Sequence, residues 1–408
     1  MTRTTTFIFS LIIIVLLLVG AWWYFFFEKG TSGGVTNQNN ASSTRPGFSP
    51  LNPSTPAPQT NPETPTGTST GTVSEPSVAK IPKIRKLYAT PVATGIVGSS
   101  TASSTSVFFV DRGTGHVYNA EIATEKPTKL SNTTILRVYE SLFDANGKNV
   151  LMRYIKEGAE IVTTVYAPVR EEIKAKFVSN NTSSIAISPK GDLIFTLEQT
   201  NTGSIGYISK LDGTAKAEIF NSPLREWIAT WPEEGTVTLT TKANRLSPGY
   251  LFFLNTKTGG LTKILGPLNG LTTNTSRDAK KVLYSISVAG RVENRVLTVA
   301  DGSNQNTLFQ TLPEKCVWGN IKKTSLYCAV STEPLKNLPD DWYKGLTKGV
   351  DQIWHLDTVT NDVYKVSNLF SETGVSIDAI NLTLDPKEQG LFFINYNDLS
   401  LWSIDLVD

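Results

Sequence analysis

The sequence predicts an all-β fold: a seven-bladed β-propeller of four-stranded blades whose N-terminal strand closes the last blade, preceded by one transmembrane helix and a disordered linker. Three observations carry this reading. From Lys80 to Asp408, short segments rich in Val, Ile, Leu, Tyr, Phe and Thr alternate with Gly, Asn, Asp and Ser turns, with no sustained helical periodicity. A turn marker recurs through that stretch at nearly constant spacing. The last repeat lacks its final strand, and an unassigned segment at the start of the same stretch can supply it.

Residues 1–29 read as a cytoplasmic N-terminus and a signal anchor. Phe7 to Phe27 is a run of 21 residues without a charge, which as a helix reaches about 32 Å and crosses a bilayer core. Its end, Trp22-Trp23-Tyr24-Phe25-Phe26-Phe27, suits a membrane interface, and no small-x-small cleavage site follows. Arg3 marks the cytoplasmic side, so the remainder is expected outside the membrane. No Cys lies nearby for a lipoprotein anchor.

Residues 30–79 read as a stalk. Of these 50 residues, 39 are Gly, Ser, Thr, Pro, Asn or Gln, and only Arg45, Glu63 and Glu75 are charged. Such a composition cannot bury a core. Eight prolines bias the segment toward extended polyproline II.

Residues 80–408 carry the repeat. "YISKLDGTAKAEIF", "LFFLNTKTGGLTKIL", "VLTVADGSNQNTLF" and "IWHLDTVTNDVYKV" share one pattern of strand, polar turn and short strand. The turn falls at Ile122, Ala167, Asp212, Asn255, Asp301, Asp357 and Asp405, in steps of 45, 45, 43, 46, 56 and 48. A second marker, the turn after the first strand of a unit, falls at Gly147, Gly191, Gly235 and Ala279, in steps of 44. Two markers with one period near 45 and about four strands per unit describe propeller blades, and seven turns describe seven of them. An apolar position in the last strand follows at Leu130, Phe177, Ile219, Ile264, Leu308 and Val366.

After Asp405 only three residues remain, so the final blade lacks its outermost strand. Ile84-Arg85-Lys86-Leu87-Tyr88 fits the vacancy, because Lys86-Leu87 matches Lys129-Leu130 and Lys365-Val366. Pairing the two ends of the domain in one sheet protects an open edge. The basic run from Lys80 to Lys86 is then an edge strand whose charges discourage stray pairing, in preference to a lipid or wall-polymer contact.

The Ser-Pro-x-Gly turn in "SPKGDLIF" resembles the blade turns of TolB-type bacterial propellers and the wider WD-like superfamily. The resemblance covers roughly the last 325 residues and implies an architecture, not one activity. Repeated Trp-Asp dipeptides, kelch double glycines, sialidase boxes and quinoprotein docking repeats are missing.

Composition narrows the chemistry. A net charge of +2 with 18% charged residues does not describe a nucleic-acid binder. Two Cys, two His and two Met leave little for a metal cluster or haem, so no cofactor and no metal site are expected. His116 and His355 lack a Gly-x-Ser-x-Gly elbow, and both read as structural. Asp340, Asp341 and Asp351 lack the spacing of a calcium loop and read as solvated loop acids. No catalytic residue is assigned.

Two candidates remain. In "CVWGNIKKTSLYC", Cys316 and Cys328 lie six residues either side of Lys322, which opposes them in a hairpin and makes them a disulfide candidate in an exported domain. The 56-residue step places an insertion in the sixth blade, "STEPLKNLPDDWYKGLTKGVD". There Trp342 and Tyr343, with Asp340, Asp341 and Lys344, form a candidate binding surface, the alternative being that the two aromatics fold back and cap a neighbouring blade. The expected role is a membrane-tethered, extracytoplasmic binding or assembly scaffold for an envelope protein or a wall polymer. The alternative is a glycan-directed hydrolase or lyase using acidic residues on one face.

Overall fold

The computed structural model describes residues 83–124, 126–156, 162–169 and 175–407. The span expected at Phe7–Phe27 and the stalk at 30–79 lie outside these, as does Lys80. Among the described residues no helix is long and apolar enough to cross a membrane.

The described strands form seven antiparallel four-stranded sheets. In six of them the strands follow chain order from the innermost outward. The innermost strands are Val97–Ser100, Val138–Phe143, Thr182–Ile187, Trp227–Glu233, Thr272–Thr275, Cys316–Trp318 and Ala379–Leu384. The first strands of neighbouring blades touch one another, or touch the second strand or entry turn of the next blade, which arranges the sheets as blades around a channel.

The seventh blade holds Ala379–Leu384, Gly390–Asn395 and Leu401–Asp405, and its outermost strand is Ile84–Tyr88. Ile84 pairs with Ile404, Arg85 with Ser403 and Lys86 with Trp402. The Asp405 N–H donates to the Lys83 carbonyl at 2.8 Å. The charges of this strand are engaged: Arg85 donates to the Ile122 and Thr124 carbonyls, and the Lys86 ammonium lies 4.9 Å over the Trp402 ring.

No single core holds the ring together. Seven apolar clusters each occupy the boundary between two adjacent blades, from Phe108 against Val150 in the first pair to Leu391 and Phe393 against Ala329 and Ile353 in the last. Strands covered on both faces read as continuous apolar runs, for example Phe392-Phe393-Ile394, which are each fully buried.

The first-turn marker has a backbone cause at three of its four positions, Gly235 being the exception. Gly147, Gly191 and Ala279 adopt φ of 62°, 74° and 53°, the left-handed region where glycine is free of steric cost. A Cβ on Gly147 would also meet the Phe108 ring at 2.6 Å. Glu388, at φ 56°, takes the same place in the seventh blade, where no glycine signals it.

One marker needs correction. The apolar position of the outermost strand is not uniformly a core position: Phe177 is 58% exposed, and Leu308 is 74% exposed and beyond the short strand Asn304–Asn306. Outer strands have a neighbour on one side only, so they tolerate an apolar residue that packs on nothing.

Candidate functional site

Residues 332–350 connect the second strand of the sixth blade, Ser325–Ser331, to its third, Asp351–Asp357. This insertion is bound down along its length. The Asn337 N–H donates to the Gly290 carbonyl at 3.0 Å, and Ser287 Oγ donates to the Leu338 carbonyl at 2.7 Å, both on the fifth blade. Beyond Leu338, Asp340–Tyr343 forms one helical turn. Asp340 Oδ2 accepts the Arg245 N–H of the fourth blade at 2.7 Å. Lys348 Nζ lies 5.6 Å over the Tyr396 ring of the seventh. The insertion therefore spans four blades.

The structure divides the five candidate residues. Trp342 is 9% exposed; its indole N–H donates to Asp378 Oδ2 at 3.1 Å, and its ring lies 5.3 Å from that of Tyr396. Together with Leu338 it joins the apolar cluster between the seventh and first blades. The ring is thus an anchor of the loop and is not presented to a partner. Asp340 and Asp341 are engaged within the same framework, the latter accepting from Asn337 Nδ2 at 2.9 Å. Tyr343 and Lys344 remain at the surface. They are joined there by Leu346, 72% exposed, and by Leu246, 71% exposed, which follows Arg245 in the fourth-blade loop.

Beneath the insertion lies a buried charge cluster, which corrects the reading of Asp351 as a solvated loop acid: it is 0% exposed. Lys315 Nζ stands 2.8 Å from Asp351 Oδ2 and 2.6 Å from Asp378 Oδ1. All three are essentially inaccessible. Asp351 Oδ2 also accepts the Ala379 N–H at 2.7 Å, and Asp378 Oδ2 accepts that of Gly349 at 2.9 Å. One ammonium faces two carboxylates, so one negative charge is in surplus. Burial pushes the Asp351 carboxyl up to about 6 against the pull of Lys315, while burial of Lys315 is outweighed by the two carboxylates, which hold its pKa above the usual value. Lys315 ends a short 3-10 turn, Asp351 opens a strand and Asp378 lies just before another, with no motif between them, which is why no local signal announced the cluster.

Glu314, next to Lys315, accepts the Tyr343 phenol O–H through one oxygen. Its other oxygen is buried, and burial raises the pKa of this carboxyl against the Tyr343 and Thr272 hydroxyls. A cavity of about 240 Å³ beside this cluster is lined by Lys315, Thr311, Glu333, Leu338 and Trp342.

The remaining assigned residues sit elsewhere. Cys316 pairs with Cys328 across the first two strands of the sixth blade, and their sulfurs are bonded at 2.11 Å. His116 Nε2 lies 3.2 Å from Thr134 Oγ1, and His355 stacks on Tyr364 at 4.6 Å. Among the described residues no group of three or more His, Cys, Asp or Glu side chains is placed to hold a metal.

No family model matches this chain. No curated protein matches it either. Solved structures do. An oligogalacturonate lyase from Vibrio parahaemolyticus aligns with a TM-score of 0.54 at 8% identity, over 80% of this chain and 91% of the lyase. Hydrazine synthase of Kuenenia stuttgartiensis aligns at 0.52 and 14% identity, over 84% of this chain and 99% of that one. TolB from Acinetobacter baumannii aligns at 0.43 and 11% identity, and this chain spans 59% of its length. At these identities the likeness is one of fold: the described residues form a seven-bladed β-propeller.

Proposed function

We propose that the chain is a membrane-tethered, extracytoplasmic propeller that serves as a binding or assembly scaffold for an envelope protein or wall polymer. The observation that carries this reading is the sixth-blade insertion. It is fixed to four blades, yet presents Tyr343, Lys344 and Leu346 beside Leu246 to solvent. A pre-ordered surface with exposed apolar and aromatic groups binds without a large ordering cost.

A hydrolase that works through paired carboxyl groups needs acids that reach a substrate. Asp340, Asp351 and Asp378 are each occupied by backbone or side-chain donors, and the latter two are buried with Lys315.

The test is a double variant, Leu246→Glu with Leu346→Glu, in the full chain. Cross-linking in the native membrane, followed by quantitative comparison with the unaltered protein, reads the outcome. Loss of specific neighbours or of wall-polymer retention at an unchanged melting temperature supports the scaffold. Undiminished recovery removes this face from the interaction, and cleavage of wall glycans by the unaltered chain replaces the scaffold with an enzyme.

A further inference from the structure

Lys315, Asp351 and Asp378 are packed together away from water, their side chains 3%, 0% and 0% exposed. Their backbones are fixed relative to the surrounding blades. The Lys315 N–H donates to the Leu312 carbonyl at 2.9 Å, that of Asp351 to the Ile377 carbonyl at 2.9 Å, and that of Asp378 to Asn395 Oδ1 at 3.1 Å. A primary amine held against two carboxyl groups in such a place has a reaction open to it besides ion pairing. Condensation to an amide gives a neutral product and removes two ions whose burial is costly. Amine and carboxyl already in contact also need no encounter between molecules.

The two carboxyl groups are not equivalent. Asp378 turns Oδ1 to Lys315 Nζ at 2.6 Å, while its Oδ2 accepts two N–H groups, from the Trp342 indole at 3.1 Å and from the Gly349 backbone at 2.9 Å. Two donors on one oxygen polarise the carbonyl and are placed to hold the charge that collects there when the carbon is attacked. Asp351 meets the same nitrogen through both oxygens, at 3.0 and 2.8 Å, and burial pushes its pKa up to about 6. A carboxyl of that strength takes and returns a proton near neutral pH. The ammonium is the resting form of Lys315, its pKa held up by both carboxylates against burial, so the amine that attacks arises only with transfer to Asp351. Lys315 also lines the cavity of about 240 Å³ under the insertion, into which a released water can pass.

We infer that the folded chain joins Lys315 to Asp378 through an amide between their side chains, an isopeptide bond, with Asp351 carrying the protons. The ammonium gives one proton to Asp351, and the free amine attacks Cγ of Asp378 while Trp342 and Gly349 hold Oδ2. The Nζ–Cγ bond forms and the Cγ–Oδ1 bond breaks. Of the three ammonium protons one stays on the amide nitrogen, and two leave with Oδ1 as water, relayed by Asp351, which ends as it began. No oxidant or cofactor enters. The bond ties the entry of the sixth blade to that of the seventh, the blade whose outermost strand is Ile84–Tyr88. Chains that have not joined keep three ionisable groups, and their stability follows the charges of the cluster.

The experiment is mass spectrometry of the detergent-solubilised full chain. Its intact mass is expected one water below that of the sequence, beyond the two hydrogens lost in the disulfide. Trypsin does not cut after an acylated lysine, so reduction and digestion should yield residues 296–322 joined to residues 366–387. Asp351→Asn removes the proton carrier and should slow joining about a hundredfold or more, leaving most of that chain unjoined. A mass short of two hydrogens only, with residues 296–315 and 366–387 recovered as separate peptides, overturns the proposal. So does a water loss that persists in Asp378→Ala. Lys315 joined to residues 349–365, or undiminished joining in Asp351→Asn, overturns the roles given to the two acids. The peptide map of the unaltered chain needs no variant, so it decides the bond even where a substitution disturbs folding.

Discussion

The ammonium of Lys315 lies 2.6 Å from Oδ1 of Asp378 and joins the entry of the sixth blade to the entry of the seventh with charges that water does not reach. Asp378 also holds Trp342, so the same carboxylate fixes both a blade boundary and the insertion above it. Removing Lys315 leaves two buried carboxylates without their counter-ion. Lys315→Met is therefore expected to cost about 3–5 kcal/mol, measured by urea unfolding. A loss below about 1 kcal/mol would show that the cluster is neutralised in some other way.

Asp351 carries the pH dependence of this cluster. Its folded pKa is raised from 3.8 to about 6, so the native state binds its proton more tightly than the unfolded chain. The protonated form is then the stabilised one, and stability from this group falls as pH rises from about 4 to about 6. In Asp351→Asn the surplus charge is gone and Lys315 keeps Asp378. The variant should match the unaltered protein near pH 4 and exceed it by on the order of 2–3 kcal/mol at pH 7. Urea midpoints at four pH values check this, and a difference independent of pH contradicts it.

Trp342 and Leu346 lie four residues apart but differ in burial, 9% against 72% exposed. Trp342→Ala removes a buried ring and is expected to cost about 3–5 kcal/mol. Trp342→Phe removes chiefly the N–H that Asp378 accepts and should cost about 1–3 kcal/mol. Leu346→Ala should stay within about 0.5 kcal/mol. Denaturation of the three variants ranks them, and a neutral Trp342→Ala would return the ring to the surface.

The blades were legible because each repeats the same short-range demand. A hairpin turn requires particular residues at fixed offsets, so Gly147 and Gly191 advertise themselves, and Ile84–Tyr88 was found by subtraction once the other strands had places. Cys316 and Cys328 were legible for the same reason, being opposed in one hairpin. The buried cluster was not, since Lys315, Asp351 and Asp378 are distant in sequence and meet only when the sixth and seventh blades pack together. For Trp342 the sequence left a binding surface and a fold-back cap both open, because a single aromatic in a loop carries no periodicity to show which way it faces; its burial is that of the cap.

The Cys316–Cys328 bond closes a loop with a sequence separation of 12. Chain-entropy arguments assign about 3 kcal/mol to a loop of that size. Cys316 and Cys328 both pack in the cluster between the fifth and sixth blades, so a replacement must fill the same space. The Cys316→Ala, Cys328→Ala pair is expected to melt earlier but still fold, and reduction should lower the midpoint of the parent without affecting the variant. Equal midpoints for oxidised and reduced parent would show that the bond adds nothing to the hairpin already paired there.

Closure of the ring rests on Ile84–Tyr88. Ile84 and Leu87, 9% and 6% exposed, enter two different clusters, one on each side of the seventh blade. Their partner strand Leu401–Asp405 would otherwise present Leu401, Trp402 and Ile404, all now buried, along an unpaired edge. Exposing the two side chains alone removes about 3–6 kcal/mol, and the bare edge offers backbone groups to a second molecule. A chain of residues 80–408 is expected to be monodisperse, and one of residues 91–408 to be less stable by that amount and to self-associate. A synthetic peptide of residues 80–90 added to the shorter chain should restore its urea midpoint, because strand pairing does not require a covalent link. Identical midpoints and elution volumes for the two chains would mean that the ring closes through its other three strands in that blade, with the N-terminal strand laid on afterwards.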